Sequence, residues 1–126
     1  MIKTGKEHLS QLRDGRVVYI GDEKIDDVTT HPAFEKAAQK VAELYDIKHQ
    51  EIYKDVLSYE ENGELCSTWF LQAKNKSDLR KRSKAHKVIA DQTSGMMGRS
   101  MDHVASFVTG MSTNPDIFDS GKYKFK

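Results

Sequence analysis

The sequence has one cysteine, two prolines, almost no net charge and no long apolar run. The single cysteine, Cys66, excludes an internal disulfide and any all-cysteine metal site. A net charge of +1 gives no general attraction to nucleic acid or to anionic membranes. No apolar run approaches the roughly 20 residues that span a bilayer, and the N-terminus lacks the apolar core of a signal peptide. We therefore expect a cytoplasmic protein with neither a nucleic-acid nor a membrane partner.

Helix and turn signals fill the first half of the chain. Thr4 and Glu7 have the spacing of a capping box, which predicts a short helix that ends near Gly15. The β-branched run that follows predicts a small hairpin over 17–25. Pro32 suits a first helical turn, so a second helix is predicted to open at residues 29–32. The residues expected on its buried stripe are Phe34, Ala37, Ala38, Val41, Leu44 and Tyr45.

The second half predicts a further hairpin and two more helices. Two apolar segments, 56–59 and 65–71, flank Asn62-Gly63, a dipeptide typical of tight turns. Ser77-Asp78 predicts the start of one helix and Ser100 the start of another. The apolar positions of these helices are Leu79, Ala85, Ile89 and Ala90 in the first and Val104, Phe107, Val108 and Met111 in the second. The length and pattern predict one domain, mainly α with two small β-hairpins.

The segment from Gln92 to His103 is the most informative part of the sequence. It is a glycine-punctuated turn that leaves one helix and enters the next, and it carries Arg99 directly before the expected cap, Ser100. The N-terminal end of a helix is electropositive and attracts anions. A guanidinium held beside that end is therefore suited to meeting an oxyanion.

Several short motifs in one order make the sequence similar to a known family. It resembles the N-terminal domain of the 4-hydroxyphenylacetate 3-monooxygenase oxygenase component, which hydroxylates phenols with reduced FAD and dioxygen. The motifs are Thr4-Gly5-Lys6-Glu7, Asp14-Gly15-Arg16, Asp27-Val28-Thr29-Thr30-His31-Pro32-Ala33-Phe34, Leu44-Tyr45-Asp46, Asp55-Val56-Leu57 and Gly98-Arg99-Ser100. The resemblance implies the N-terminal helical domain of acyl-CoA-dehydrogenase-like flavoproteins, a flavin reductase as partner, a phenolic substrate and a homo-oligomer.

The oxygenases of this family are several times longer than 126 residues. Their flavin-binding middle domain and C-terminal helical domain have no counterpart in residues 1–126, so we expect a fragment, a split gene product or a trimmed piece. FAD would then bind only in the complete enzyme, with no cofactor-binding residue in this chain, and the isolated chain would be inactive. The alternative is a non-catalytic binding or assembly module left from a truncated or split flavoprotein.

In the family, the segment matching Arg99 to His103 lines the phenol pocket. The resemblance therefore makes Arg99 and His103 the catalytic candidates, while His103 stands where better-known members carry tyrosine and Met101 where they carry proline. The substrate-binding candidates are Arg99, Ser100, Met101, Asp102 and His103. A related iron–sulfur dehydratase branch needs cysteines here, and this segment has none.

The chemistry of the family gives each candidate a role. A fixed cation such as Arg99 favours the phenolate form, which an electrophilic oxygen attacks faster, and arginine stays charged with a planar fork of donors. His103, at a positive helix end, would remain a neutral imidazole able to accept a proton. The alternatives are that Arg99 only braces two helices, that His103 only lies on a helix surface, and that Asp102 only complements the helix dipole.

Two other patterns have plainer interpretations. A basic run near the third predicted helix could contact nucleic acid, but it circles the helix without aromatic residues, so we interpret it as a solvated face or a docking face. Its members are Lys74, Lys76, Arg80, Lys81, Arg82, Lys84 and Lys87. The five histidines have no recognisable metal-ligand spacing, and no metal is expected.

Overall fold

The structure, a computed structural model, describes residues 2–96 and 101–118 as short helices and two antiparallel hairpins. The α-helices are α1 (Gly5–Gln11), α2 (Glu35–Asp46), α3 (Glu51–Leu57), α4 (Lys76–Gln92) and α5 (Met101–Ser112). The strands are β1 (Val18–Ile20) paired with β2 (Glu23–Ile25), and β3 (Ser58–Glu61) paired with β4 (Glu64–Ser67). Turns of 3₁₀ helix occupy Ile47–His49, Thr68–Phe70 and Pro115–Phe118. The predicted fold class is confirmed. No helix in the described ranges is long and apolar enough to cross a membrane.

The chain divides into two units, Met1–Asp55 and Val56–Lys126. In the first unit α1 packs against α2. The predicted capping box is present: the Thr4 hydroxyl accepts from the Glu7 amide at 3.2 Å, and the Glu7 carboxylate accepts from the Thr4 amide at 2.7 Å. Both contacts satisfy amides that the first helical turn leaves without a partner.

Gly5 brings α1 and α2 into close contact. Its amide donates to the Asp46 carboxylate at 2.7 Å. A Cβ at this position would lie 2.6 Å from the Ala42 carbonyl oxygen and 2.5 Å from the Asp46 carboxylate. The first contact is with the backbone of α2, so the two helices can approach this closely only because residue 5 has no side chain.

The second helix begins later than its sequence signal predicts. Asp27 accepts from the Thr29 amide and hydroxyl, both at 2.7 Å, and its carbonyl accepts from the His31 amide at 3.0 Å. Such side-chain turns compete with the helix, so α2 starts only at Glu35. On α2 the residues facing the core are Ala38, Ala42 and Leu44, whereas Ala37 is exposed, so the predicted stripe is partly wrong.

His31 connects this turn to the first hairpin. Its Nδ1 accepts from the Ala33 amide at 3.2 Å, which leaves Nε2 as the proton-bearing nitrogen facing the Glu23 carboxylate at 3.3 Å. His31 therefore helps to order the chain where it enters α2.

The second unit contains the predicted turn at Asn62-Gly63. Both residues have positive φ, 54° and 79°, as a tight hairpin between β3 and β4 requires. The strands are shorter than predicted. Residues 56 and 57 belong to α3, which the sequence analysis missed, and residues 68–70 form a 3₁₀ turn. The Ser67 hydroxyl accepts from the Trp69 amide at 3.4 Å, and the Thr68 hydroxyl donates to the Val56 carbonyl at 2.9 Å, so side chains replace the strand ladder there.

α4 and α5 pack against the turn at residues 68–70, where Trp69 is buried. Asn75 caps α4 by accepting from the Asp78 amide at 3.0 Å, so the helix begins at Lys76, one to two residues before the predicted start at Ser77-Asp78. The helix ends at Gln92, and Gly95, with φ 71°, donates its amide to the Ala90 carbonyl at 2.9 Å. Ala85 and Ile89 face the core as predicted, whereas Leu79 is exposed.

Replacing Gly5 with alanine should destabilise the protein. The new methyl group would meet the Ala42 carbonyl at 2.6 Å, and we expect a loss of about 1–3 kcal/mol in the free energy of unfolding. Gly110→Ala is the matched control: nothing lies within 4 Å of its Cβ position in α5, so helix propensity should leave it neutral or stabilise it by about 0.5–1 kcal/mol. Urea unfolding measures both, and an unchanged Gly5→Ala would contradict the close contact.

Acid should weaken the first unit through Asp27. Hydrogen bonds from Thr29 and then from Arg13 lower the pKa of Asp27 from 3.8 to about 2. A lowered pKa stabilises the folded state above about pH 4, and that stability is lost as the pH falls through about 2. The contacts from Thr29 are local and can persist after unfolding, whereas the Arg13–Asp27 bond spans 14 residues and breaks, so the stability difference comes from Arg13. Asp27→Asn should therefore be less stable at pH 5 and show a flatter loss of the urea midpoint between pH 4 and pH 2.

The control for this experiment is Asp14→Asn. Arg16 also lowers the pKa of Asp14 to about 2, but the two residues are neighbours along the chain, so their bond can persist after unfolding. Only the difference between folded and unfolded states changes stability. A loss of midpoint in Asp27→Asn that is as steep as in the wild type would refute the assignment.

Candidate functional site

The candidate site is only partly within the described residues. Arg99 and Ser100 lie outside them, and so does the predicted cap of α5 by Ser100. Met101, Asp102 and His103 form the first turn of α5, and they lie in three different environments: Met101 is half-buried, Asp102 is buried and His103 is exposed.

Asp102 lies in the packed side of α5 and bonds to α4. Only 4% of the residue is exposed, and its Oδ2 lies 2.6 Å from Nδ1 of His86. A buried carboxylate is costly without a charged or hydrogen-bonding partner, and His86 supplies one. Asp102 therefore links two helices in addition to carrying a negative charge in the first turn of α5.

His86 has a second partner on α5. Its Nε2 lies 3.4 Å from the Ser106 hydroxyl, one helical turn beyond Asp102. An ionised carboxylate only accepts, so Nδ1 carries the proton that faces Asp102; in the neutral ring Nε2 is then the acceptor for the Ser106 hydroxyl. The order of the hydrogen bonds is Ser106 to His86 to Asp102. The sequence analysis missed His86, because nothing in its spacing marks a partner 16 residues away.

His103 lies on the exposed side of α5 and is accessible to a ligand. Successive helical residues are about 100° apart, which is why Asp102 can face α4 while its neighbour faces outward. The structure therefore separates an anchoring residue from an accessible one within a single turn.

The apolar face predicted for α5 is real but uncovered. Val104, Phe107 and Val108 are 55%, 63% and 55% exposed, and Met111 is 37% exposed. The buried residues of α5 are Asp102, Ala105 and Thr109. The four apolar residues share one face, as their spacing predicts, and that face is exposed because the smaller and more polar side of the helix faces the unit.

One cleft of the first unit has more acidic than basic side chains in its lining. This cleft of ≈ 620 Å³ between α1, α2 and the turn at residues 29–30 is lined by Glu35, Glu43 and Asp46 as well as Lys6 and Arg13. Three carboxylates disfavour the diphosphate of a dinucleotide. In the ranges 2–96 and 101–118, no three histidine, cysteine or acidic side chains come together as a metal site would require.

The basic run lies on and before α4. Lys74, Lys76, Arg80, Lys84 and Lys87 are exposed, and Lys81 and Arg82 are half-buried. Lys87 bonds to Asp91 at 2.6 Å. An exposed distribution of this kind agrees with a solvated face.

Comparison with known proteins gives consistent matches over almost the whole chain. The sequence model of a family described as "4-hydroxyphenylacetate 3-hydroxylase N terminal" matches residues 4–126. The 4-hydroxyphenylacetate 3-monooxygenase oxygenase component of Thermus thermophilus is 42% identical over 120 residues, which is 94% of this chain and 25% of that protein. The 4-nitrophenol 2-monooxygenase oxygenase component of Rhodococcus sp. is 40% identical over 124 residues, 96% of this chain and 24% of that protein.

Solved structures give the same result. The oxygenase component of 4-hydroxyphenylacetate 3-monooxygenase complexed with FAD and 4-hydroxyphenylacetate superposes with a TM-score of 0.89 at 39% identity, covering 94% of this chain and 25% of that one. An archaeal 4-hydroxybutyryl-CoA dehydratase from N. maritimus matches with a TM-score of 0.61 at 24% identity, over 74% of this chain and 19% of that one, which shows a shared fold. The chain spans about a quarter of the length of the curated relatives it matches.

The uncovered face of α5 should make the isolated chain self-associate. Large exposed apolar patches on soluble proteins generally seek partners. We expect the weight-average mass in sedimentation or light scattering to rise with concentration, and the double variant Val104→Ser/Phe107→Ser to lower that rise. Ile52→Ser is the control, because Ile52 is 78% exposed on a different helix, α3. A wild-type chain that stays monomeric at high concentration without detergent would contradict the expectation.

Proposed function

Because this chain belongs to the family of 4-hydroxyphenylacetate 3-hydroxylase N-terminal domains, we propose that it forms the substrate-pocket part of a monooxygenase. The complete enzyme would hydroxylate a phenol such as 4-hydroxyphenylacetate at the carbon ortho to the hydroxyl. The observation that carries the proposal is the match of 94% of the chain, at a TM-score of 0.89, to an oxygenase component solved with FAD and 4-hydroxyphenylacetate.

Arg99 is the residue that we assign to the substrate hydroxyl. A guanidinium beside this oxygen favours the phenolate, whose ring carbons are more electron-rich than those of the neutral phenol. Because the charge of an arginine does not depend on pH in the working range, the phenol is activated whenever it is bound. Ser100 and Met101 would line the same pocket.

His103 is the residue that we assign to the proton. It is accessible on the outer side of the first turn of α5, where a substrate could reach it. A neutral imidazole there can accept the phenolic proton while Arg99 holds the oxygen. Asp102 is directed instead to His86, so its part in the pocket would be to hold the turn rather than to touch the phenol.

Reduced FAD together with dioxygen supplies the electrophilic oxygen in such an enzyme. The acidic cleft of the first unit does not suit this cofactor, and we assign no residue of this chain to it. The remaining three quarters of the relatives' length would hold the flavin, and the exposed apolar face of α5 is suited to contact that part. A flavin reductase, a homo-oligomeric state and a cytoplasmic setting belong to the same proposal.

A chimera tests the function. Residues 4–126 would replace the matching segment of the Thermus thermophilus relative, which is 42% identical. We expect this chimera, supplied with reduced FAD, to form the ortho-hydroxylated product, whereas the 126-residue chain alone neither binds FAD with low-micromolar affinity nor turns over. A folded chimera that oxidises reduced FAD without forming product from any of a panel of phenols would instead support a non-catalytic assembly module.

Within an active chimera, Arg99→Ala should lower kcat/KM by about ten- to a hundredfold. This is the loss expected from one charge-assisted hydrogen bond of roughly 1.5–3 kcal/mol. Arg99→Lys should recover only part, because a point charge lacks the planar fork. His103→Tyr should be tolerated and His103→Phe should cost more, since phenylalanine keeps bulk without a polar tip. If Arg99→Ala hydroxylates the phenol at the wild-type rate, with one product formed for each flavin oxidised, Arg99 does not activate the substrate and only connects two helices.

A further inference from the structure

We propose that His86 is a positioning residue of the substrate pocket: through its Nδ1 bond to Asp102 it holds the first turn of α5, and with it His103, in the orientation that receives the substrate. This inference rests on the proposed function for the pocket itself. The bond on which it depends is a feature of this chain and can be tested without any turnover.

The contact between His86 and Asp102 is short, and it lies at the first turn of α5. His86 Nδ1 and Asp102 Oδ2 are 2.6 Å apart. The His86 side chain is 41% exposed and the Asp102 side chain 6% exposed, so the carboxylate is shielded from solvent while one side of the imidazole remains open to it. His86 comes from α4 and Asp102 from the second residue of α5. Since the terminal turns of helices fray most readily, one fixed residue there determines the position of the next.

The neighbouring contact is weaker and has a different consequence. Ser106 lies 3.4 Å from His86 Nε2, beyond the usual length of an O–H···N bond, and it lies in the middle of α5, where the helix is already held by its own backbone bonds. The order Ser106–His86–Asp102 has the same residue types as a nucleophilic catalytic triad. A serine hydroxyl at this distance within a regular helix turn is better explained as a secondary support of the imidazole ring.

Two substitutions of His86 test separately the contacts made by its two ring nitrogens. In asparagine the amide nitrogen is as many bonds from Cα as Nδ1, so His86→Asn can keep the bond to Asp102. In glutamine the amide is one bond farther out, near the place of Nε2, so His86→Gln can keep the Ser106 contact but misplaces the donor to Asp102. Lys87→Gln is the control on the exposed side of α4.

The first measurement uses the 126-residue chain. Hydrogen exchange of the amides of residues 105–107, whose acceptors in the helix are the carbonyls of residues 101–103, should be about tenfold faster in His86→Gln, by loss of one hydrogen bond to a charged group. It should stay near the wild-type rate in His86→Asn and Lys87→Gln. In the wild type, the nitrogen NMR shifts of His86 should show the proton on Nδ1. Equal exchange in the Asn and Gln variants would overturn the proposal. A wild-type ring protonated only on Nε2 would also overturn it, and this result does not depend on whether either variant folds.

The second measurement uses the active chimera. His86→Gln should raise KM for the phenol by about tenfold with a smaller change in kcat, because a displaced turn weakens binding more than the chemical step. His86→Asn should restore KM. A global loss of stability would lower the melting temperature of both variants without this KM difference, and that result would reduce His86 to a structural role. If the wild-type chimera does not hydroxylate, the proposed function fails, and the exchange measurement still decides the role of the bond.

Discussion

The buried carboxylate of Asp102 is the constraint on which the second unit depends. A charge with 4% exposure requires a partner, and His86 on α4 is placed to be one. Once this pair is formed, α5 can turn only its smaller side, Ala105 and Thr109, toward the unit. The outward position of His103 and the exposure of Phe107 both follow from that single choice of helix face.

The apolar core of the chain is small, and polar contacts at fixed points complete it. Several of the buried apolar residues are alanines, such as Ala38 and Ala42 on α2 and Ala85 on α4, and helices can approach closely at these positions. Gly5 against Ala42 is the extreme case. At the same time several large apolar side chains remain exposed on α5. A chain that spans a quarter of its relatives and leaves its largest apolar face bare is suited to packing against another part of such a protein.

The features predicted correctly from the sequence are those that depend only on contacts between residues close together in the chain. The Thr4 capping box and the Asn62-Gly63 turn were predicted because each motif contains its own donor, acceptor or φ requirement. The start of α2 was misplaced because the Asp27 turn competes with the helix. α3 was missed because it is short and its last two residues, Val56 and Leu57, were assigned to the strand that follows. A helical period shows which residues share a face but not whether this chain covers that face, so the spacing of α5 predicted its apolar face correctly without showing by itself that the face is exposed. The family was identified correctly from the ordered motifs. The His86–Asp102 bond depends on how two helices are rotated against each other, which no local pattern records.

The residues in the first turn of α5 have different roles, and this difference affects which substrates the proposed pocket can accept. Asp102 carries the link to α4, and the residues on either side, Met101 and His103, do not take part in the described bond. Substitutions at those two positions can therefore change the shape and polarity of the proposed pocket while the turn that presents it stays anchored. A different phenol could be accepted in this way without any change in the fold, because the anchor and the selective residues are adjacent in sequence but on different sides of the helix.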